Sequence, residues 1–216
     1  MASKTSSIEV IDLGVISYPD ALQIQYKRRD DRLAGLAGDT LFLLEHPPTV
    51  TIARASSFEA APFTQEELMA RGFAVYQTER GGMTTYHGPG QIVGYAVLDI
   101  SKLGISVHEL MRCLEQAIID TLRPRNINAG RLDTYPGVWV DGQRKIAAVG
   151  VHLRRWVTIH GFALNVSPDM SHFEAIVPCG ITDKGVTSIQ AELGKSTSIA
   201  EAKTALAENF SKNFQR

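Results

Sequence analysis

The chain has 216 residues, 44% of them hydrophobic and 21% charged, which is the make-up of a soluble globular domain able to bury its own core. Its 22 Lys+Arg against 23 Asp+Glu leave a net charge of -1, which excludes the global basic field of a general nucleic-acid binder. No apolar run reaches the ~18 residues a membrane helix needs, and the two cysteines, Cys113 and Cys179, are too few for a disulfide scaffold; a cytoplasmic protein that engages neither membrane nor nucleic acid is expected.

Residues 1–7 read as a disordered polar tail, and 8–216 as a single domain. A first strand is expected over 8–13. Pro19 and Asp20 open a helix with Leu22, Tyr26, Leu33 and Leu36 on one side, ended by Gly35 and Gly38. Thr40–Glu45 and Thr49–Ala53 are apolar strand candidates, separated by His46-Pro47-Pro48, which breaks regular structure. Three capping boxes, Thr64…Glu67, Ser106…Glu109 and Ser198…Glu201, mark helix starts. After the second, Leu110, Met111, Leu114, Ala117, Ile118 and Leu122 recur at helical spacing; after the third, Ile199, Ala202, Leu206 and Phe210 do. Strands are expected over 73–78, 92–100, 137–140, 145–153 and 157–166, with Asp141-Gly142 as a tight hairpin turn. The fold class is α+β, with a mixed, mostly antiparallel sheet and helices packed on it.

Three segments carry candidate chemistry. The run from Arg80 to Gln91 holds four glycines and a proline among Arg, Tyr, His and Gln. Glycines let backbone approach a ligand closely, though a bulged strand crossover would need them equally. The Lys-Ser/Thr ending of a phosphate-binding loop is absent. Cys179 lies between Pro178 and Gly180, which leave its thiol uncrowded, whereas Cys113 sits on an apolar helix face as structural cysteines do. Lys145 shares a face with Ala147, Val149 and Val151 along its strand. On that apolar side it either snorkels to solvent or is desolvated and available for proton transfer. His46, His87 and His160 occupy Gly/Pro-rich or strand contexts, His108 a first helical turn. No spacing of histidines or cysteines points to a metal site. A Cys–His pairing of Cys179 with His87 or His160 stays open.

Taken in order, Leu44-Glu45-His46-Pro47-Pro48, Arg80-Gly81-Gly82 with Thr85-Tyr86-His87-Gly88-Pro89-Gly90-Gln91, Gly137-Val138-Trp139, Lys145 to Gly150, His160 to Asn165, Pro178-Cys179-Gly180-Ile181 and Val186-Thr187-Ser188 resemble the lipoyl(octanoyl) transferases. Ala53 and Glu79 depart from the pattern, where glycine and aspartate are expected. The resemblance implies a biotin/lipoate protein ligase-like fold and a single catalytic domain over 8–216. It implies transfer of octanoate from octanoyl-acyl carrier protein, through a Cys179 thioester, to a lysine of lipoyl domains of 2-oxoacid dehydrogenase complexes and of the glycine cleavage H protein. Cys179 and Lys145 carry over as the catalytic pair. Arg80, Gly81, Gly82, Met83, Thr84, Thr85, Tyr86, His87, Ala148, Val149, Gly150, Gly161, Phe162 and Ala163 carry over as substrate-binding residues. No cofactor or metal is implied. Three alternatives remain: an ATP-dependent lipoate or biotin-type ligase of the same fold, a non-catalytic module binding acyl carrier or lipoyl domains, and a Cys–His thioester hydrolase.

Overall fold

The computed structural model describes residues 8–53, 62–176 and 184–214; the expected tail at 1–7 and Cys179 lie outside them. The elements run in the order β1 (Glu9–Val15), α1 (Tyr18–Leu33), β2 (Thr40–Glu45), β3 (Thr49–Ala53), α2 (Gln65–Ala70), β4 (Ala74–Thr78), β5 (Thr85–His87) and β6 (Gln91–Val97). Then come α3 (Ile100–Leu103), α4 (Val107–Leu122), β7 (Ala129–Gly130), β8 (Val138–Val140), β9 (Arg144–Arg154), β10 (Val157–Asn165), β11 (Gly185–Val186), α5 (Ile189–Leu193) and α6 (Ile199–Phe214). Among these residues no helix is long and apolar enough to cross a membrane.

Among the described residues, the strands form two sheets. The larger follows the order β1-β2-β6-β10-β9-β8-β7, with β11 also paired to β9; the smaller is β4-β3-β5. Most pairings are antiparallel, while β1 with β2, β3 with β4 and β11 with β9 are parallel. The architecture is thus α+β, as the sequence pattern implies. Asp141 (φ 49°) and Gly142 (φ 67°) form the tight turn between β8 and β9, closed by the Gln143 N–H donating to the Val140 carbonyl at 3.0 Å.

One face of the large sheet carries α4 and α6. Leu110, Leu114, Ala117, Ile118 and Leu122 of α4 meet Ala202, Leu206, Phe210 and Phe214 of α6 over Ile92, Phe162 and Leu164. Full capping boxes start α2 and α4, and the Ser198 hydroxyl accepts from the Glu201 N–H at 3.3 Å. The strand foreseen over 92–100 stops at Val97. Asp99 instead caps the short α3 by accepting from the Lys102 N–H, because a short acid at that point satisfies an orphan helix donor.

The opposite face carries α1 and corrects the apolar stripe foreseen for that helix. Leu33 and Leu36 are exposed, at 36% and 80%, and the buried face is Tyr18, Ala21, Gln25, Arg29 and Arg32. The reason is what lies beneath. Asp39, before β2, and Asp99, after β6, need partners inside the protein. Arg32 Nε donates to Asp39 Oδ1 at 2.8 Å, Arg32 Nη1 lies 3.6 Å from Asp99, and the Asp99 N–H donates to Asp39 Oδ1 at 2.8 Å. Removing one partner strands a buried charge, so Asp39→Ala should cost about 3–5 kcal/mol. The loss is read as a lower urea midpoint at unchanged slope; a change below about 1 kcal/mol, the size for a surface pair, would show that this ion pair does not anchor α1.

Candidate active site

Between the α1 face of the large sheet and the small sheet lies an open, largely apolar cavity, the character that small-molecule sites usually have. Its floor is Val93, Tyr95, Ala148, Gly150, Gly161 and Ala163; Arg80, Gly81, Gly82 and Met83 form a wall, with Tyr18, Thr85, His87 and His160 completing it. Val149 and Phe162 also line it, although the Phe162 ring packs on Phe210 across the sheet. Small residues in adjacent strands create this trough. Gly161 pairs with Gly150 and Ala163 with Ala148. A Cβ on Gly161 would overlap the Gly94 carbonyl, and one on Gly150 would stand 2.9 Å from the Gly81 carbonyl, closer than Cβ atoms tolerate.

The Arg80–Met83 wall is tied to both sheets through its first two residues. The Arg80 guanidinium donates to the Thr51 carbonyl and hydroxyl, both at 2.9 Å, and the Gly81 N–H donates to the Val151 carbonyl at 3.1 Å. Glu79, one of the two departures from the family pattern, accepts from the Tyr26 hydroxyl at 2.9 Å and offers its carbonyl to His152. The other, Ala53, is buried in β3.

Two of the fourteen foreseen binding residues, Thr84 and Tyr86, do not line the cavity. Thr84 precedes β5. Within β5 residues alternate sides, so Thr85 and His87 face the cavity. Tyr86 turns into a separate cluster against Phe73 and Phe173, its hydroxyl 2.7 Å from His172 Nδ1. Conversely, sequence reasoning missed Tyr18, Val93 and Tyr95, and noted His160 without assigning it a place. Tyr18 and Tyr95 reach the cavity through long-range packing, for which a single sequence carries no local signal.

Lys145 lines a smaller cavity with Thr85, Gln91, Ala148, Ala163, Asn165, Phe173 and Val186. Thr85, Ala148 and Ala163 belong to both cavities, so the lysine stands at one end of the trough. It is 6% exposed, with Nζ 4.8 Å from the centre of the Trp139 ring. It is therefore buried and does not snorkel. The alternation foreseen for its strand fails at one point. Trp139 pairs with Lys145 but Val138 with Ala147, so Ile146 is an inserted residue. This bulge sends Ile146 and Ala147 into the α4–α6 core and puts Lys145 on the side of Ala148, away from Val149 and Val151. Cys179 lies outside the described residues, between Phe173 and Val186, both of which line the Lys145 cavity.

A buried polar network underlies the trough. His46 Nδ1 donates to the Ile16 carbonyl at 2.7 Å, and the Tyr95 hydroxyl donates to His46 Nε2 at 2.8 Å. His87 Nδ1 donates to Gln91 Oε1 at 2.8 Å. The Gln91 amide donates to Asn165 Oδ1 at 2.9 Å, and the Asn165 amide to the Thr187 carbonyl at 2.9 Å. The Thr187 N–H donates in turn to the Lys145 carbonyl at 2.9 Å. Burial pushes His46 down to about 4; burial and the neighbouring His46 push His87 to about 3, and burial with the Arg80 charge pushes His160 to about 3.

Residues 17–211 match the catalytic-domain family of lipoyl protein ligases A and B. The chain is 50% identical over 204 residues to an octanoyltransferase of Solibacter usitatus, covering 94% of this chain and 90% of that one. The chain belongs to the octanoyltransferase family. An octanoyltransferase of Myxococcus xanthus is 43% identical over 95% of this chain, which spans only 59% of that longer protein. Among solved structures, a lipoate-protein ligase A bound with ATP superposes with a TM-score of 0.76 at 19% identity, covering 96% of this chain and 85% of that one. The biotin protein ligase of Aquifex aeolicus gives 0.53 at 15%, covering 97% and 70%. The fold is that of the lipoate and biotin protein ligases.

The three neutral histidines set a pH dependence. Unfolded histidines titrate near 6.5 and these only at about 4, 3 and 3, so the unfolded chain binds the extra protons. Stability is then complete above about pH 7.5 and falls as pH drops through 6.5 toward 4, by up to about 1.4 kcal/mol per pH unit for each histidine. Urea midpoints taken from pH 7.5 to 4.5 should show a shallower slope for His46→Gln than for the parent chain; parallel slopes would contradict the buried neutral state of His46.

Proposed function

We propose that the protein transfers octanoate from the phosphopantetheine thioester of acyl carrier protein to a lysine of lipoyl domains, through a thioester on Cys179, with Lys145 as acid and base. The observation that carries this reading is that the apolar trough and the cavity that holds buried Lys145 share Thr85, Ala148 and Ala163 as walls. The family membership supports it. Dehydrogenase-complex lipoyl domains and the glycine cleavage H protein are the proposed acceptors, and the reaction is cytoplasmic.

The steps follow from the groups. The acyl chain lies along Ala148, Gly150, Gly161 and Ala163, with its thioester carbonyl toward Lys145. Cys179 attacks as thiolate, which a neighbouring ammonium favours by lowering a thiol pKa from about 8.5. The tetrahedral intermediate collapses, the pantetheine carbon–sulfur bond breaks, and the Lys145 ammonium protonates the departing thiolate. The Lys145 amine then takes a proton from the attacking acceptor lysine as the new amide forms and the Cys179 thiolate leaves. Thioester exchange is nearly isoenergetic and amide formation is downhill, so the reaction needs no ATP.

Incubation with octanoyl-carrier protein should add one octanoyl mass to the protein, labile to hydroxylamine, and Cys179→Ser should form no such thioester; an equal hydroxylamine-labile adduct on the variant would exclude Cys179. Transfer should run in nucleotide-free buffer with a chelator, whereas a strict need for ATP and magnesium would favour a ligase. Lys145→Met should slow iodoacetamide alkylation of Cys179 at pH 7, with recovery at higher pH, and reduce acyl transfer further than alkylation. Lys145→Arg should keep much of the alkylation yet transfer poorly, because a guanidinium does not release its proton near neutral pH. Wild-type behaviour in both variants would make Lys145 structural.

A further inference from the structure

His160 lies within β10 but has a φ of +62°. A non-glycine residue in the left-handed region is uncommon, and such strain persists only where the surroundings impose it. Here Gln25 of α1 imposes it, its Oε1 accepting from the His160 N–H at 2.7 Å. The consequence is a change of side. Regular alternation groups residue 160 with Phe162 and Leu164, which pack into the α4–α6 core. The imidazole instead lies on the cavity side, edge-on to Tyr95 at 5.9 Å between ring centres and with Nε2 3.5 Å from the Thr78 hydroxyl. Tyr18 stands beside it, its hydroxyl donating to Thr78 at 2.9 Å and its ring stacked on Tyr76. Burial and Arg80 hold the imidazole neutral, so it presents an uncharged ring to whatever meets it.

The strand register places this group relative to the chemistry. Ala163, paired with Ala148, is at the Lys145 end; Gly161 pairs with Gly150, and His160 with Val151 beyond them. Three residues of strand separate Ala163 from His160, about 10 Å at ~3.3 Å per residue. A saturated chain with bonds near 1.5 Å advances about 1.25 Å per carbon, so eight carbons span about 9 Å.

We propose that His160, braced by Gln25 and backed by Tyr18 and Tyr95, is the stop at the far end of the trough that sets the length of acyl chain accepted. This rests on the reading of the trough as the acyl site. His160 lies away from the reacting carbonyl and determines specificity; it is not a catalytic group.

The test is His160→Gly, since glycine takes a positive φ freely and keeps the backbone while removing the ring. Tyr18→Leu shortens the same end without touching the strained residue. Each protein receives an equimolar mixture of octanoyl- and dodecanoyl-carrier protein with a lipoyl domain, and products are resolved by intact mass. In parallel, titration calorimetry compares free octanoate with free dodecanoate, which reads the trough without catalysis. The twelve-to-eight-carbon ratio should rise at least about tenfold in both readouts in either variant. Wild-type ratios in both variants, with octanoyl transfer intact, would overturn the stop. A shifted binding ratio in a protein that transfers no octanoyl group would uphold the stop and overturn the transferase reading. No preferential binding of either fatty acid to the parent chain would overturn the trough assignment and the stop with it.

Discussion

The site depends on one packing constraint: two neighbouring strands in the middle of the large sheet face the cavity, between Lys145 and His160, with only alanine and glycine at two successive pairs. A sheet face normally closes by interdigitation at near-crystalline density. At Ala148–Ala163 and Gly150–Gly161 there is nothing to interdigitate, so the small sheet and the Arg80–Met83 wall span an open trough. The wall cannot drop into that space, because Arg80 is tied to Thr51 and Gly81 to Val151. On the reverse face of the same strands Phe162, Leu164 and Ala147 are fully packed by α4 and α6, so rigidity comes from one side and access from the other.

Around that apolar trough the polar groups are arranged to stay uncharged. Three histidines are buried there, each with its titration moved to about 4 or below by desolvation. His46 and His87 are held in fixed tautomers by carbonyl acceptors. A network satisfied in this way orients side chains without placing formal charge along the apolar lining. The charged groups flank it: Arg80 in the wall and Lys145 at one end, the latter over the Trp139 ring. The same chain of bonds, from His87 through Gln91, Asn165 and Thr187, reaches the backbone of Lys145, so the trough and the lysine share one scaffold.

Much of this was legible in the sequence, and the failures have specific causes. Helices α4 and α6 and the turn at Asp141-Gly142 were readable because a local code, capping, periodicity or dipeptide geometry, agreed with the tertiary result. The glycine and alanine positions of the trough carried over through the family motif. The stripe expected on α1 failed because Asp39, past the end of the helix, and Asp99, far off in sequence, demanded Arg32 on its inner face. The side of Lys145 failed because a bulge at Ile146 has no residue signature in a run of small apolar residues. Tyr86 points away from the trough, which the motif does not reveal because it names residues without saying which alternate. The turn of His160 had no local signal either, since the residue enforcing it, Gln25, lies on another element.

If the trough holds the acyl chain as proposed, its geometry makes discrimination by chain length asymmetric. Below eight carbons the trough loses burial gradually. Each methylene is worth about 0.8 kcal/mol, roughly a fourfold change, so the six carbons that acetyl lacks amount to about 5 kcal/mol before costs, while the two that a six-carbon chain lacks amount to about 1.6 kcal/mol, roughly fifteenfold. Above eight carbons the penalty has a different origin. The end formed by His160, Tyr18 and Tyr95 is fixed by hydrogen bonds to Gln25, Thr78 and His46, so an extra carbon must displace bonded side chains, and overpacking of this kind costs about 1–3 kcal/mol. A gradual loss on the short side and a steric step on the long side give a selectivity that rises slowly with length and then breaks. A trough open at its far end would reward each added carbon instead; under the proposal, closing that end is the use of the strained backbone at His160.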